Sequence, residues 1–413
     1  MTAVMQPELF DRAWLLRAAD WLAVATAASL PWSTSATSIL VVLWLVVLVP
    51  AIDWRRMARE WWTAASVLPV ALVVLGVAGM GWADVSFAER AKGVEPFVKL
   101  LLIPLLFLQF RGSERGWFVF YAYLGSCTVL LAASYVMCLL PGADPASVFF
   151  GVPVKNGATQ SGEFVTCIFG LALPLKVALE RKRWFQALLL LLLLLLFLGN
   201  IIFVATGRTA YAAALVLLVV FATAHLRPMS AVMLFVLAGL ALSVAWFSSP
   251  YLRARTTQIW TDFTKYEASD ERNSSGERIE FWKKSIEFMQ GAPVIGHGTG
   301  TIPSLFAKSA TGKTGATGVA STNPHNQTFA VGIQLGLVGV IVLWAMWVAH
   351  LLIFRGDRFA DWIGLLIVLQ NIIGSVFNSH LFDFNQGWAY VIGLGVAGGI
   401  AFKRRAEKAD AAP

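Results

Sequence analysis

The chain has 413 residues, 58% of them hydrophobic and only 14% charged, and its mean hydropathy is +0.69. Soluble domains carry roughly 25% charged residues, so this composition excludes a soluble globular domain and an intrinsically disordered chain. The net charge of +8 does not call for nucleic acid, because the basic excess lies in short segments between apolar runs, where it sets membrane topology.

Apolar runs recur from residue 15 to residue 402. Many approach the roughly 20 residues that a helix needs to cross about 30 Å of hydrocarbon. They predict an all-α polytopic membrane protein of about twelve transmembrane helices, near 15–32, 36–52, 65–83, 96–110, 117–140, 161–179, 185–205, 209–226, 231–248, 325–350, 359–377 and 387–402. The first run is followed directly by the second, so no cleavable signal peptide is expected. The fourth is short and is expected to tilt little or to be partly re-entrant. The seventh holds nine consecutive leucines, Leu188 to Leu196. Cys127, Cys138 and Cys167 all fall within spans, where they read as small buried side chains.

Lys and Arg in the short loops orient the bundle. With a cytoplasmic N-terminus, the cytoplasmic loops hold Arg55, Arg56 and Arg59; Arg111 and Arg115; Arg181, Lys182 and Arg183; Arg227; Arg355 and Arg358; and the tail adds Lys403, Arg404 and Arg405. The opposite loops are poorer, with Arg90, Lys92, Lys99 and Lys155 as exceptions among the short ones. Both termini are therefore expected on the cytoplasmic side. The chain divides into residues 1–248 with spans one to nine, an outer loop at 249–324, residues 325–402 with spans ten to twelve, and a tail at 403–413.

That outer loop runs for 76 residues, and loops of such length are functional or disordered. "SSGERIEFWKKSIEFMQGAPVIGHGTG" predicts a helix with Ser274 as cap and Glu277 three residues on. Ile279, Trp282, Ile286 and Met289 recur at helical spacing, and Gly291 and Pro293 end it. Such a helix lies on the membrane surface or roofs a cavity. "GHGTG" then reads as a tight turn, and "AKSATGKTGATGVAST" as a segment that is flexible without ligand.

Polar groups near membrane depth are functional candidates by default. Arg208, in "VATGRTAYAAALV", stands at the outer end of a span, on the side where positive charge is under-used. Gly207 suits a tight connection there, and Thr209 is placed to cap the next helix. Arg278 occupies the first turn of the loop helix, where the dipole disfavours a cation, so an anionic ligand is expected to compensate. Arg253, Arg255 and Arg272 are weaker candidates. Lys155, in "PVKNGATQSGEF", faces the same side. Together they predict an outer cavity suited to phosphate or pyrophosphate, which arginine grips bidentately. The run "YEASDERNSSGE", with Glu267, Asp270, Glu271 and Glu277, reads as a solvated loop. No Asp-x-Asp motif stands on this side, and no metal site or cofactor is expected.

"NPHNQTFAVGIQLGLVG" places His325 at the mouth of span ten, with Pro324 at the helix start and Asn326 and Gln327 beside it. Histidine takes a proton from a hydroxyl near neutral pH. His225 and His350 fall on the cytoplasmic side and His297 lies in the "GHGTG" turn. His380, in "NSHLFDFNQ" with Asp383 nearby, is the rival.

Three motifs carry a family resemblance. "HNQTFAVGIQLGLVG" has a His-Asn pair, nine residues, Gly336, two residues and Gly339; "GRTAY" (207–211) places an arginine before a membrane helix; "GERIEFWKKSIEFMQGAPVIGHGTG" (276–300) has an arginine, a tryptophan and a Pro-x-x-Gly-x-Gly. In order and spacing they resemble the O-antigen ligase and Wzy-like polymerase superfamily, most of all its O-antigen ligases. The resemblance implies a GT-C-like glycosyltransferase of the bacterial inner membrane, with the 249–324 loop and active site periplasmic. It implies transfer of polysaccharide from undecaprenyl-pyrophosphate-linked O-antigen to lipid A–core, without metal and with inversion. His325, Arg208 and Arg278 are then catalytic, with Asn326, Gln327, Lys155 and Tyr211 binding substrate. The alternatives are a polymerase or other lipid-linked glycan transferase, and a transporter of lipid-linked sugars. A transporter would show internal repeats and broken helices at the midplane, whereas no repeat is evident and the candidate residues cluster on one face.

Overall fold

The computed structural model describes residues 11–410 apart from 142, 143, 145, 146, 148, 206, 249–252, 254–256, 258–260, 263, 265, 267–269, 271 and 357. Its elements are helical. In chain order they are α1 (Arg12–Ser29), α2 (Thr34–Ala51), α3 (Trp54–Glu60), α4 (Ala64–Ala78), α5 (Phe87–Val98), α6 (Leu102–Gly112), α7 (Gly116–Leu139), α8 (Gly157–Glu180), α9 (Trp184–Phe203), α10 (Arg208–His225), α11 (Pro228–Ser248), α12 (Ser274–Gly291), α13 (Ile302–Ala310), α14 (Gln327–Leu351), α15 (Phe359–Phe377) and α16 (Phe384–Asp410).

Ten segments among the described residues are long and apolar enough to cross a membrane. They are α2, α4 with the turn after it, α5 joined to α6, α7 to α11, α14 and α15. Helices α1 and α16 coincide with the first and last expected spans but fall outside that set. Arg12, Arg17 and Asp20 interrupt α1, and α16 is diluted by Asn385, Gln386 and a string of glycines. Both still belong to the bundle: α1 packs on α2 and α7, and α16 on α6 and α15. The expectation of a short fourth span is corrected. A single 3-10 turn at Lys99–Leu101 joins α5 to α6, so Phe87–Gly112 forms one 26-residue segment. A capping box at Ser86 and Glu89 starts it well before the apolar run begins.

Two apolar cores hold the bundle. One gathers α1, α2, α4, α6, α14 and α16 around Trp44, Phe110, Trp347 and Tyr390; the other gathers α7 to α10 and α15 around Phe164, Phe197 and Trp362. A third, smaller cluster of Phe281, Ile302, Phe306, Ala330 and Ile333 fixes α12 and α13 onto the start of α14.

The loop helix differs from expectation in cap and face. Asn273 caps α12, its side chain accepting from Gly276 N at 2.8 Å, so Ser274 is the first helical residue. The buried face carries Gly276, Glu280, Phe281, Lys284 and Ser285, while Ile286 is 47% exposed. Apolar spacing misplaces this face because a polar set is buried in it. Lys284 Nζ donates to Thr317 O at 2.6 Å, and Tyr266 Oη donates to Glu280 at 3.0 Å. Gly276 admits the Tyr266 ring, which would lie 2.8 Å from any Cβ added there.

The segment expected to be flexible is ordered. Its first residues complete α13, and the turn that follows is pinned by Asp270, whose carboxylate accepts from Thr317 Oγ1 at 2.7 Å and whose carbonyl accepts from Ala316 N at 3.0 Å. Asp270 is therefore a scaffold residue and not part of a solvated acidic run. Glu277 pairs with Arg272 at 2.7 Å. Arg255, Glu267 and Glu271 lie outside the described residues.

Helix α14 is interrupted at Gly336, whose φ of 60° and ψ of −158° break the helical path. The break opens the hydrogen-bond ladder, and the backbone of 293–298 fills it. His297 N donates to Ile333 O at 2.8 Å and Gly298 N to Gln334 O at 2.9 Å, while Leu337 N and Val338 N donate to Pro293 O and Val294 O at 2.8 and 3.2 Å. Two helical bonds, from residues 337 and 338 to 333 and 334, are replaced by four to the loop. Gly296, Gly298 and Gly300 all have positive φ, which makes the expected tight turn. Gly296 and Gly336 thus meet at one junction, which ties the end of α12 to α14, while Gly298 and Gly300 let the loop pack against Ala83 and Glu89.

Candidate functional site

The site is built where α10, α12, α14 and the turn between α15 and α16 meet. Arg208 is the first residue of α10, and Gly207 before it takes extended backbone without a side-chain cap. Thr209 lies inside the helix and does not cap it, contrary to expectation. The Arg208 guanidinium donates to Ser275 Oγ at 3.0 Å and lies 3.8 Å from the Asp262 carboxylate. Ser275 Oγ in turn donates to Asp262 at 3.2 Å. Asp262 is buried. It holds Arg208 toward α12, and no sequence signal singled it out.

Arg278 is partly buried one turn further along α12. Burial and the neighbouring Arg208 charge push its pKa below the usual arginine value. The repulsion between the two guanidiniums, in a half-desolvated place, is one that an anion held between them would relieve.

His325 is corrected from a helix-opening position. Asn326 is the cap of α14 and Pro324 stands outside the helix. His325 itself has φ of 52°, in the left-handed region that side chains rarely adopt. Its backbone is held there from both ends: its N–H donates to Asn323 Oδ1 at 2.9 Å, and its carbonyl accepts from Trp282 Nε1 at 3.4 Å. The conformation takes the ring off the helix path and stacks it on Phe281, with centroids 6.0 Å apart and planes 17° apart. Nδ1 lies 2.9 Å from Asn378 Oδ1. Burial, and then Arg278, hold its pKa below 6.5 against the Asn378 bond and Glu277. The imidazole is thus neutral near pH 7, the form that can accept a proton.

The other candidates are distributed differently. Asn326 uses its oxygen to cap Phe329 N and its nitrogen to reach Val376 O at 3.0 Å. Gln327 is buried, and its oxygen accepts from Leu381 N and Phe382 N at 3.0 and 3.2 Å. Gln327 thus shapes the 378–383 turn and Asn326 ties the start of α14 to the end of α15, and neither touches the imidazole through these bonds. Lys155, in the loop before α8, donates to Leu30 O just past α1 at 2.6 Å, and Tyr211 Oη joins α10 to Ile201 O of α9 at 2.8 Å. His380 lines the outer end of a largely apolar cavity of about 370 Å3 between α7, α8, α15 and α16. Burial first, and Arg278 second, push its pKa down to about 4, which makes it a weaker base than His325. His297 Nε2 meets Phe288 O at 2.8 Å and serves the turn. His350 is buried at the other end of α14, between Tyr390 and Ala65 O.

Sequence reasoning missed Asn378, which stands 53 positions from His325, and Phe281, read as neither site nor core. Polar residues wedged between two apolar runs, as in "FNSHLFDFN", were the available signal. Among the described residues, no three His, Cys, Asp or Glu side chains gather in a metal-binding group.

Fold and site together define a multi-pass helical membrane protein with a cationic, histidine-bearing site at one end of its bundle. Residues 189–344 match the family model Wzy_C, described as O-Antigen ligase, and this stretch contains all three motifs. The match supports the resemblance to the O-antigen ligase and Wzy-like superfamily over that stretch. No curated protein matches the chain.

Proposed function

We propose that the protein is an O-antigen ligase. It transfers glycan from an undecaprenyl-pyrophosphate carrier to a hydroxyl of lipid A–core, at the periplasmic face of the inner membrane, with both termini cytoplasmic. The observation that carries this reading is the gathering of Arg208, held toward α12 through Ser275, with Arg278 of α12 and His325, both of which feel their neighbours' charges. A pyrophosphate held by the two guanidiniums would then lie beside the base.

The donor enters sideways from the outer leaflet, its prenyl chain along the apolar cavity that reaches His380. Arg208 and Arg278 hold the pyrophosphate. Nε2 of His325 takes the proton of the acceptor hydroxyl as its oxygen bonds to the anomeric carbon. The anomeric C–O bond to phosphate breaks on the opposite face, so the centre inverts. Pyrophosphate leaves with the electron pair, its growing charge held by the two guanidiniums. Because pyrophosphate is a good leaving group, two arginines can replace a divalent ion.

The test is reconstitution of the purified protein in liposomes with undecaprenyl-pyrophosphate glycan and lipid A–core, after chelation. Glycan on the core is the expected product, and chain growth on the carrier would instead make the enzyme a polymerase. His325→Ala is expected to lower transfer by about 10²- to 10⁴-fold, the range for a lost general base. Full activity in that variant would remove the base assignment, and dependence on added metal would remove the metal-free step.

A further inference from the structure

We infer that Asn378, anchored by Asp383, is a positioning residue that holds His325 in the Nδ1-protonated tautomer and so leaves Nε2 free as the base. The inference rests on the base role proposed for His325 and adds to it the device that sets the tautomer.

Three hydrogen bonds fix the orientation of the amide. Asn378 Nδ2 donates to Asp383 Oδ2 at 2.6 Å, Asn323 Nδ2 donates to Asn378 Oδ1 at 3.1 Å, and the same oxygen lies 2.9 Å from His325 Nδ1. An ionised carboxylate only accepts, so the amide nitrogen must face Asp383. Turning the Asn378 amide over would set oxygen against carboxylate and nitrogen against nitrogen. Asn323 is locked as well, since its oxygen accepts from His325 N at 2.9 Å and from Ser379 Oγ at 2.7 Å. With an acceptor fixed opposite Nδ1, that nitrogen carries the proton.

Asp383 is held in place from below. Buried Lys99 donates to the carbonyls of Phe382 and Asp383 at 3.2 and 2.9 Å, which ties the turn to the α5–α6 segment. Burial raises the Asp383 carboxyl to about 6, against the Lys99 charge, so it is ionised at pH 7. The charged and titratable groups that act on this assembly are Arg278 and Glu277 from α12, Lys99 from the α5–α6 segment, and His380 and Asp383 of the turn.

The test has a readout that does not depend on activity. In protein labelled with ¹⁵N-histidine, the His325 resonances are assigned by their loss in His325→Gln. They are expected to show a protonated Nδ1 and an unprotonated Nε2 at pH 7.5. Asn378→Leu is expected to give a mixture of tautomers or an Nε2-protonated ring, and to lower kcat by about 10- to 100-fold with little change in KM, the scale seen when a partner that orients a metal-bound histidine is removed. Asn378→Asp retains an acceptor and the shape, and serves if the leucine variant fails to fold. Its added carboxylate is expected to move the acid limb of kcat/KM upward by about one pH unit or more. An unchanged tautomer in Asn378→Leu, or an unmoved acid limb in Asn378→Asp, overturns the inference. A changed tautomer with unchanged kcat supports the positioning role and instead removes His325 as the base.

Discussion

Gly336→Ala tests whether the junction between loop and membrane helix holds the site together. At φ 60° and ψ −158° only glycine is comfortable, and a side chain there costs about 1–3 kcal/mol in backbone strain. The added Cβ would also run into the Val294 carbonyl and lie 2.6 Å from Gly296 N. The chain can relieve this only by withdrawing residues 293–298, which forfeits the four loop-to-helix hydrogen bonds, worth about 0.5–1.5 kcal/mol each. The cheaper of these routes, or a blend of both, sets the loss at about 2–4 kcal/mol. At about 1.4 kcal/mol per factor of ten, the loop should open roughly 30- to 1,000-fold more often. Hydrogen exchange read by mass spectrometry on a peptide covering 293–300 measures this directly. Transfer activity should fall in parallel, although no residue of the site is touched, because the loop ties the C-terminal end of α12 to α14. Wild-type exchange at His297 and Gly298 together with wild-type activity would refute the reasoning.

Three further outcomes are expected. The base must be unprotonated, and His325 is held below 6.5 by burial and Arg278, so kcat/KM should fall on the acid side with a midpoint below pH 6.5. Glu277→Gln removes a charge that raises the His325 pKa and should move that limb further down; a limb that moves up in this variant contradicts the electrostatic account. Lys284→Met should lower stability by about 2–4 kcal/mol, because it leaves the Glu280 carboxylate and the Thr317 carbonyl without their buried partner. Thermal unfolding in detergent would measure the loss, and an unchanged midpoint would mean that the loop does not depend on its buried polar set.

The sequence by itself determined the membrane class and the position of nearly every long helix to within a few residues, and it singled out Arg208, Arg278 and His325 as candidates. These are local matters. Hydrocarbon thickness sets the length of an apolar run, and a polar residue against such a run marks itself. Local reasoning also failed where burial was polar. Glu280 and Lys284 put charge on the inner face of α12, so apolar spacing chose Ile286, which the fold leaves exposed. It placed His325 inside the helix because a left-handed φ leaves no trace in the composition. It offered Asn326 and Gln327 as substrate-binding residues because they adjoin His325 in sequence; in the fold Asn326 also reaches the backbone at the end of α15, and Gln327 the backbone of the 378–383 turn.

What only the tertiary structure decided is which groups meet. Asn378 reaches His325 from 53 residues away, Asp262 reaches Arg208 across the loop, and Lys99 supports the turn that carries Asp383. The motif glycines became intelligible only when the loop backbone was seen to fill the gap that Gly336 opens in α14. The physical reason is the same in each case. A helix's own residues fix its local hydrogen bonds, but partners for a polar side chain beside the membrane come from whichever helix ends the packing brings together.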